Sequence, residues 1–443
     1  VNQTLTPGWM NTKRRADSGM RRFLLPVLVG LALGGLFPPV VASVDGPATR
    51  AELLRQKRLE KLQGTRPAQQ GTFEKAMVYI QEQHMLQKIF SMEPFYNFRP
   101  KFGLGDEYDR QLVLESGSGL AFGILWEKKD LAPGVHLRWG GSLSTRLYRL
   151  AGARLDLEDM LARPGFNSHF YAVYWNYPQL DFYGIGTGSR EENQVNYRSE
   201  NFEFRYAIGQ TWADVFRTEL AAGYLRTRIG PGTAREHPSI EEVFDEETAP
   251  GLLHEPAYYY IRPHIRWDSR DNPGYPCAGT VLDFQMTVYK DHTLHRYSFD
   301  TYEIEAQQFF PFLHKHRVIA LRAKAQLTDV DRSDGQRVPF FMLPYLGGSN
   351  SLRGYREFRY FDENYLLFNA EYRWKAWTGL EMALFADYGD VFSRIEDVGL
   401  ADLRCSYGFG FRFVTGRSVF LRADIAWHEW GRPRVFIKMH KIF

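Results

Sequence analysis

From about Phe95 to Phe443, apolar and polar residues alternate one for one in segments of roughly 8–14 residues. In 364–374, Leu366, Phe368, Ala370, Tyr372 and Trp374 share one parity, and Asn369, Glu371 and Arg373 share the other. In 380–388, Leu380, Met382, Leu384 and Ala386 oppose Glu381, Ala383, Phe385 and Asp387. In 406–413, Tyr407, Phe409, Phe411 and Phe413 oppose Ser406, Gly408, Gly410 and Arg412. The segment 419–427 sets Leu421, Ala423 and Ile425 against Arg422 and Asp424, and 434–443 sets Val435, Ile437, Met439 and Phe443 against Arg434, Lys438 and His440. A period of two puts successive side chains on opposite faces of a strand, so each segment is a strand with one apolar and one polar face. The segment 260–268 alternates too, and Pro263 inside it predicts a bulge.

Turn residues or polar loops separate the segments. Five strands follow residue 363. Eleven precede it, near 96–104 (or 109–116), 118–128, 134–144, 147–158, 166–176, 195–208, 214–228, 257–268, 279–290, 299–310 and 316–328. The total of about sixteen is even, as a closed antiparallel barrel requires. A soluble sandwich also alternates. Here, however, aromatic residues gather at segment ends, as at Tyr372 and Trp374, Trp427 and Trp430, and Tyr258 to Tyr260, which suits girdles at two membrane interfaces. Mid-segment charges in the five C-terminal strands keep to the polar parity, and a charge on a lipid-facing position costs roughly 2–4 kcal/mol at the bilayer midplane. Lys441 departs from the rule near a segment end, where the cost falls to ~0–1 kcal/mol. The predicted fold is therefore all-β: a closed antiparallel transmembrane barrel of about sixteen strands over 94–443.

The N-terminal part has a different pattern. Arg21 and Arg22 precede an apolar run from Phe23 to Phe37, and small residues around Ala42 and Ser43 follow. This run is shorter than the ~20 residues of a spanning helix and reads as a cleaved secretory signal peptide, so 1–43 is assigned to an upstream extension and signal peptide. Residues 44–93 are rich in helix formers, including "RAELLRQKRLEKLQ" and "FEKAMVYIQEQHMLQKIF", and read as a helical periplasmic linker.

Composition adds exclusions. The net charge of +3, with 24% charged residues, points to no nucleic-acid partner. The mean hydropathy is negative, which excludes a bundle of membrane helices but not a barrel, whose lumen-facing residues are polar. Cys277 and Cys405 stand apart with no metal-ligand spacing. "YGIGTGS" (183–189) lacks the Lys-Ser/Thr of a phosphate loop and reads as a barrel turn. Scattered histidines form no His-Glu-x-x-His motif. No metal, cofactor or catalytic site is expected.

One loop stands out. "LGGSNSLRGY" (346–355) places a lone arginine between glycines and serines, on a long connection at the end opposite the C-terminus. A barrel of this size has room for the loop to fold inward. Arg353 then needs a carboxylate, and Asp387 and Glu371 are the inward-parity candidates within two strands.

"GGSNSLRGY" resembles the Arg-Gly-Phe/Tyr loop signature of the surface-antigen barrels, the BamA/TamA superfamily of outer-membrane assembly proteins. The resemblance implies that Arg353, with Gly354 and Tyr355, docks inside the barrel against acidic residues, here Asp387 in "FADYGDVF" and Glu371 in "NAEYRW". "WDSRDNPGYPCAG" (267–279) is similar to the family's Asp-x-Arg-Asp…Pro-x-x-Gly strand-turn signature at Asp268, Arg270, Asp271, Pro276 and Gly279. Phe443 stands as a C-terminal signature. The family implies a bacterial outer-membrane barrel among lipids that assists insertion or translocation of client polypeptides without chemistry, through a weak seam between first and last strands. Family members that do so carry polypeptide-transport-associated domains of about 75–90 residues, too long for 44–93, so a barrel-only member is expected. A passive pore or structural barrel, or a tether that binds a separate periplasmic partner through 44–93, stays open as an alternative.

Overall fold

The computed structural model describes residues 98–102, 118–399, 403–414, 419–428 and 431–438. The expected signal peptide, the linker 44–93 and Phe443 lie outside the described residues.

Among the described residues, sixteen strands form one antiparallel sheet, each paired with its neighbours in chain order. They are β1 (Phe98–Phe102), β2 (Ala121–Ala132), β3 (Val135–Ser144), β4 (Arg149–Leu157), β5 (Phe166–Phe182), β6 (Val195–Trp212), β7 (Phe216–Pro231), β8 (Ala257–Asp268), β9 (Gly279–Asp291), β10 (Phe299–Phe312), β11 (Arg317–Asp329), β14 (Asn364–Trp377), β15 (Leu380–Phe392), β16 (Arg404–Val414), β17 (Val419–His428) and β18 (Arg434–Lys438). Between β11 and β14, a small ribbon of β12 (Tyr345–Leu346) and β13 (Tyr360–Phe361) stands apart. Among the described residues no ladder joins β1 to β18. Connections alternate between the two ends of the strands, as antiparallel order dictates, and the long ones at 183–194, 232–256 and 330–363 lie at the end opposite the β8–β9 turn.

The bulge expected at Pro263 does not form. The ladder from β8 to β9 skips Arg262 and Pro263 and resumes in the same register at His264 and Gln285. Proline removes one donor, which interrupts a ladder without requiring an extra residue.

Polarity is distributed inside out. Leu384, Ile261 and Leu220 are 52%, 55% and 49% exposed on the outer face. On the inner face Glu371, Arg373, Glu381, Asp387, Arg412, Arg422 and Asp424 are buried. This arrangement suits a sheet whose outer solvent is hydrocarbon, with polar side chains kept to the inner face.

The sheet curls far enough for distant strands to face each other. Arg404 on β16 donates to the Thr187 carbonyl in the β5–β6 connection at 2.6 Å. The Val419 N–H of β17 donates to the Gly274 carbonyl in the β8–β9 turn at 3.3 Å. At the loop end, Phe182 meets Phe340 and Phe361 with ring centroids 5.1 and 5.2 Å apart, within an apolar cluster that includes Tyr197, Tyr258 and Tyr297. That cluster packs the β11–β14 connection against β5 to β10.

Leu384→Arg is expected to lower stability in lipid vesicles by roughly 2–4 kcal/mol, measured by urea titration. Wild-type stability would contradict a lipid-facing outer surface.

Candidate functional site

The site begins with backbone shape. The ribbon of β12 and β13 pairs Tyr345 with Phe361 and Leu346 with Tyr360, and closes the base of a loop whose tip carries Arg353. Gly347 has φ +118°, and a Cβ there would lie 2.1 Å from the Arg356 carbonyl oxygen, so only glycine fits. Ser351 Oγ accepts from the Gly347 N–H and donates to the Gly347 carbonyl. The glycine- and serine-rich stretch is thus a compact, self-bonded turn.

The turn carries Arg353 to the inner face of the sheet, where the residue is 0% exposed. Its Nε donates to Asp387 Oδ2 at 2.9 Å and its Nη2 to Asp387 Oδ1 at 2.6 Å, a bidentate fork. The Arg353 backbone N–H donates to the same carboxylate at 3.2 Å. Nη1 donates to Glu371 Oε1 at 2.6 Å and lies 3.8 Å from Asp424 Oδ2. The guanidinium also sits 3.4 Å from the centroid of the Phe385 ring. Asp387 accepts further bonds from Asn369 Nδ2 at 2.8 Å and Ser406 Oγ at 3.1 Å. Sheet register supplies this set, since Asn369, Asp387 and Ser406 stand side by side on β14, β15 and β16.

Three more buried groups complete the network. Arg412 donates to Glu371 at 2.9 Å and to Asp424. Arg422 lies 3.2 Å from Asp424 and donates to the Ser349 carbonyl of the loop at 2.8 Å. Arg353, Arg412 and Arg422 therefore balance Glu371, Asp387 and Asp424. Sequence reasoning singled out only Arg353, Glu371 and Asp387. Arg412, Arg422 and Asp424 were marked only by polar parity. A further signal lay in "GFGFRF" (408–413): a Cβ at Gly408 would lie 2.6 Å from the Phe385 ring, and one at Gly410 2.0 Å from Asp424 Oδ1. The missing side chains on the inner face make room for the network.

The other two motif residues also touch the C-terminal strands. A Cβ at Gly354 would lie 2.7 Å from the Trp427 carbonyl oxygen, and Tyr355 stacks on His428 with centroids 4.5 Å apart.

The strand-turn signature forms a second inward structure. Asp268 accepts from Arg270 Nε at 2.8 Å and Nη2 at 2.6 Å. Asp271 accepts the backbone N–H groups of Cys277 and Ala278 at 3.0 and 3.1 Å and the Lys315 ammonium at 2.8 Å. Gly279 has φ +108°, and a Cβ there would lie 2.4 Å from the Ser269 carbonyl oxygen. So shaped, the turn reaches across the interior. Tyr275 donates to Glu381 on β15 at 3.2 Å, and the Pro276 carbonyl accepts from Arg373 on β14 at 3.0 Å. The arginine loop and this turn do not share a partner, but they grip the same strands. On β14, Glu371 serves the loop and Arg373 the turn. On β15, Asp387 serves the loop and Glu381 the turn.

Opposite these strands lies a cavity of about 870 Å³ lined by β2 to β9, with His136, Arg154, His169, Arg205, Glu219 and His264 on its wall. Among the described residues no cluster of His, Cys, Asp and Glu is arranged to hold a metal ion.

In the turn, burial pushes the Asp271 carboxyl up, but the Lys315 ammonium and the two N–H donors outweigh it and hold the carboxyl below its ordinary value. A depressed carboxyl contributes stability above its unfolded pKa, and that stability is lost as pH falls through the folded value. Asp271→Asn should thus flatten the acid limb of the pH–stability curve, and an unchanged limb would remove Asp271 as its source. Arg353→Ala leaves buried carboxylates uncompensated and is expected to cost ~3–5 kcal/mol in a denaturant titration, with Arg353→Lys in between because it cannot make the fork. Wild-type stability in Arg353→Ala would show that the ion network does not hold the loop.

A family model for the Omp85 superfamily domain matches residues 162–435. Among solved structures, the chain is similar to BamA from Haemophilus ducreyi lacking POTRA domains 1-3, with a TM-score of 0.56 and 12% identity over 80% of this chain and 76% of that one. It is similar to CdiB from Escherichia coli, with a TM-score of 0.50 and 12% identity over 78% of this chain and 62% of that one. This chain thus spans under two thirds of the CdiB chain. No curated protein matches the chain. At these identities the structural likeness describes the fold.

Proposed function

Because the chain belongs to the Omp85 superfamily of outer-membrane β-barrels, we propose that it assists insertion or translocation of polypeptides at the outer membrane, without chemistry. The observation that carries this reading is the buried fork between Arg353 and Asp387, which fixes a long loop to the C-terminal strands. In this reading Arg353, Gly354 and Tyr355 form a latch, with Asp387 and Glu371 as its acidic seat. The curled sheet closes into a barrel by meeting of β1 and β18. The seam between them is weak, and its freed edge pairs with an incoming strand. Residues 44–93 act as a periplasmic linker to the barrel, after removal of a signal peptide.

A second reading, a structural barrel that passes nothing, is favoured by one observation. The arginine loop and the β8–β9 turn fill one side of the interior from both ends. Such a barrel tethers a periplasmic partner through 44–93. Co-purification of a periplasmic protein by the full chain, lost on deletion of 44–93, would support it.

Depletion of the protein in its host, followed by quantitative outer-membrane proteomics, separates the readings. Loss of several other barrels or surface proteins is expected for an assembly role. An unchanged proteome would overturn it and leave the structural barrel.

A further inference from the structure

Besides its ladder with β17, the last described strand is attached to the arginine loop through a side chain. Arg434 opens β18, opposite Ala426 of β17. Its Nε donates to the Gly354 carbonyl at 3.1 Å, so the loop tip itself is the acceptor. Its Nη2 lies 3.6 Å from Glu191 Oε1 in the β5–β6 connection. The same carboxylate oxygen lies 2.6 Å from Nε of Arg356, three residues beyond Arg353, and Arg356 Nη1 donates to Gln194 at 3.1 Å. One carboxylate is therefore shared between the arginine loop and the last strand.

Geometry makes this contact sensitive to the docked loop. The Gly354 carbonyl points at Arg434 while the same residue is pressed against Trp427 and His428 at the end of β17. Arg353, one residue earlier, is fixed by its fork to Asp387. Withdrawal of Arg353 displaces the Gly354 carbonyl and removes the acceptor.

We propose that Arg434 and Glu191 are positioning residues, forming a clasp that transmits the docked state of the arginine loop to the last strand. With the loop docked, the strand is held. With the loop released, Arg434 loses its acceptor and the strand edge loosens. The use of this clasp, control of an edge that receives a client strand, rests on the insertion reading. The coupling itself does not.

Hydrogen–deuterium exchange on the full chain in lipid nanodiscs tests the clasp. Arg434→Ala should speed exchange over 434–438 by about tenfold and leave 364–377 unchanged, since one charge-assisted bond is lost and the arginine fork remains. Glu191→Gln should act in the same direction by less, because its pairs are partly exposed. Arg434→Lys should restore part of the protection. Arg353→Ala should speed exchange in both the loop and 434–438, and should add nothing over 434–438 in the Arg434→Ala background. Unchanged exchange over 434–438 in Arg434→Ala and Glu191→Gln would overturn the proposal even if Arg353→Ala fails to fold. So would an Arg353→Ala effect on 434–438 that persists without Arg434. Exchange is read without clients, so an unchanged proteome on depletion removes the insertion reading and leaves the clasp. A flat exchange profile does the reverse.

Discussion

A guanidinium removed from water must be compensated where it lies, and that requirement organises this protein. Arg353 is fully buried and cannot shed its proton, so its position demands carboxylates at fixed places. Two strands supply them directly. Asp387 on β15 takes the fork and Glu371 on β14 takes the remaining nitrogen. Those carboxylates are themselves buried, which draws in Arg412, Asp424 and Arg422 from β16 and β17. Six groups of balanced charge thereby tie one loop to four consecutive strands.

The same inner row also serves the other end of the sheet. On β14, Asn369, Glu371 and Arg373 follow at intervals of two, and the last of them holds the β8–β9 turn through the Pro276 carbonyl. The polar face of one strand is in this way a column with a loop at its top and a turn at its base. Among the described residues, the cavity on the wall of β2 to β9 has no such loop or turn across it. Asymmetry of this kind concentrates the buried ion pairs on the C-terminal strands, next to the strand that ends the described sheet.

Much of this was legible in the sequence, because a strand has a period of two and a membrane punishes errors in it. Alternation alone placed Glu371 and Asp387 on the inner face, and both meet Arg353 in the structure. It also placed Arg412, Arg422 and Asp424 inward, but parity names a face and not a partner. Their pairing depends on register across β16 and β17, which five or six residues of sequence do not encode. The inward reach of the β8–β9 turn was not legible. Nothing in the local pattern names partners for Tyr275 and Cys277, and the curl of the sheet brings them to β10, β11, β15 and β17. Strand ends were also underestimated, as β5 continues past 176 to Phe182, where its ring joins the aromatic cluster at the loop end. The missing signal there was tertiary: Leu180 and Phe182 pair with β6 after an irregularity at Tyr177. The Arg434 clasp is of the same type, since Glu191 and Arg434 are far apart in the chain.

The most direct test of the central claim is a double-mutant cycle on Arg353 and Asp387 in lipid vesicles. Arg353→Ala, Asp387→Ala and the double variant would be unfolded at equilibrium. If the buried fork holds the loop, each single change leaves an uncompensated charge and the second change costs far less than the first, a coupling of about 2 kcal/mol or more. Costs that simply add would mean that the two residues act independently, and that burial of the loop depends on its apolar contacts instead.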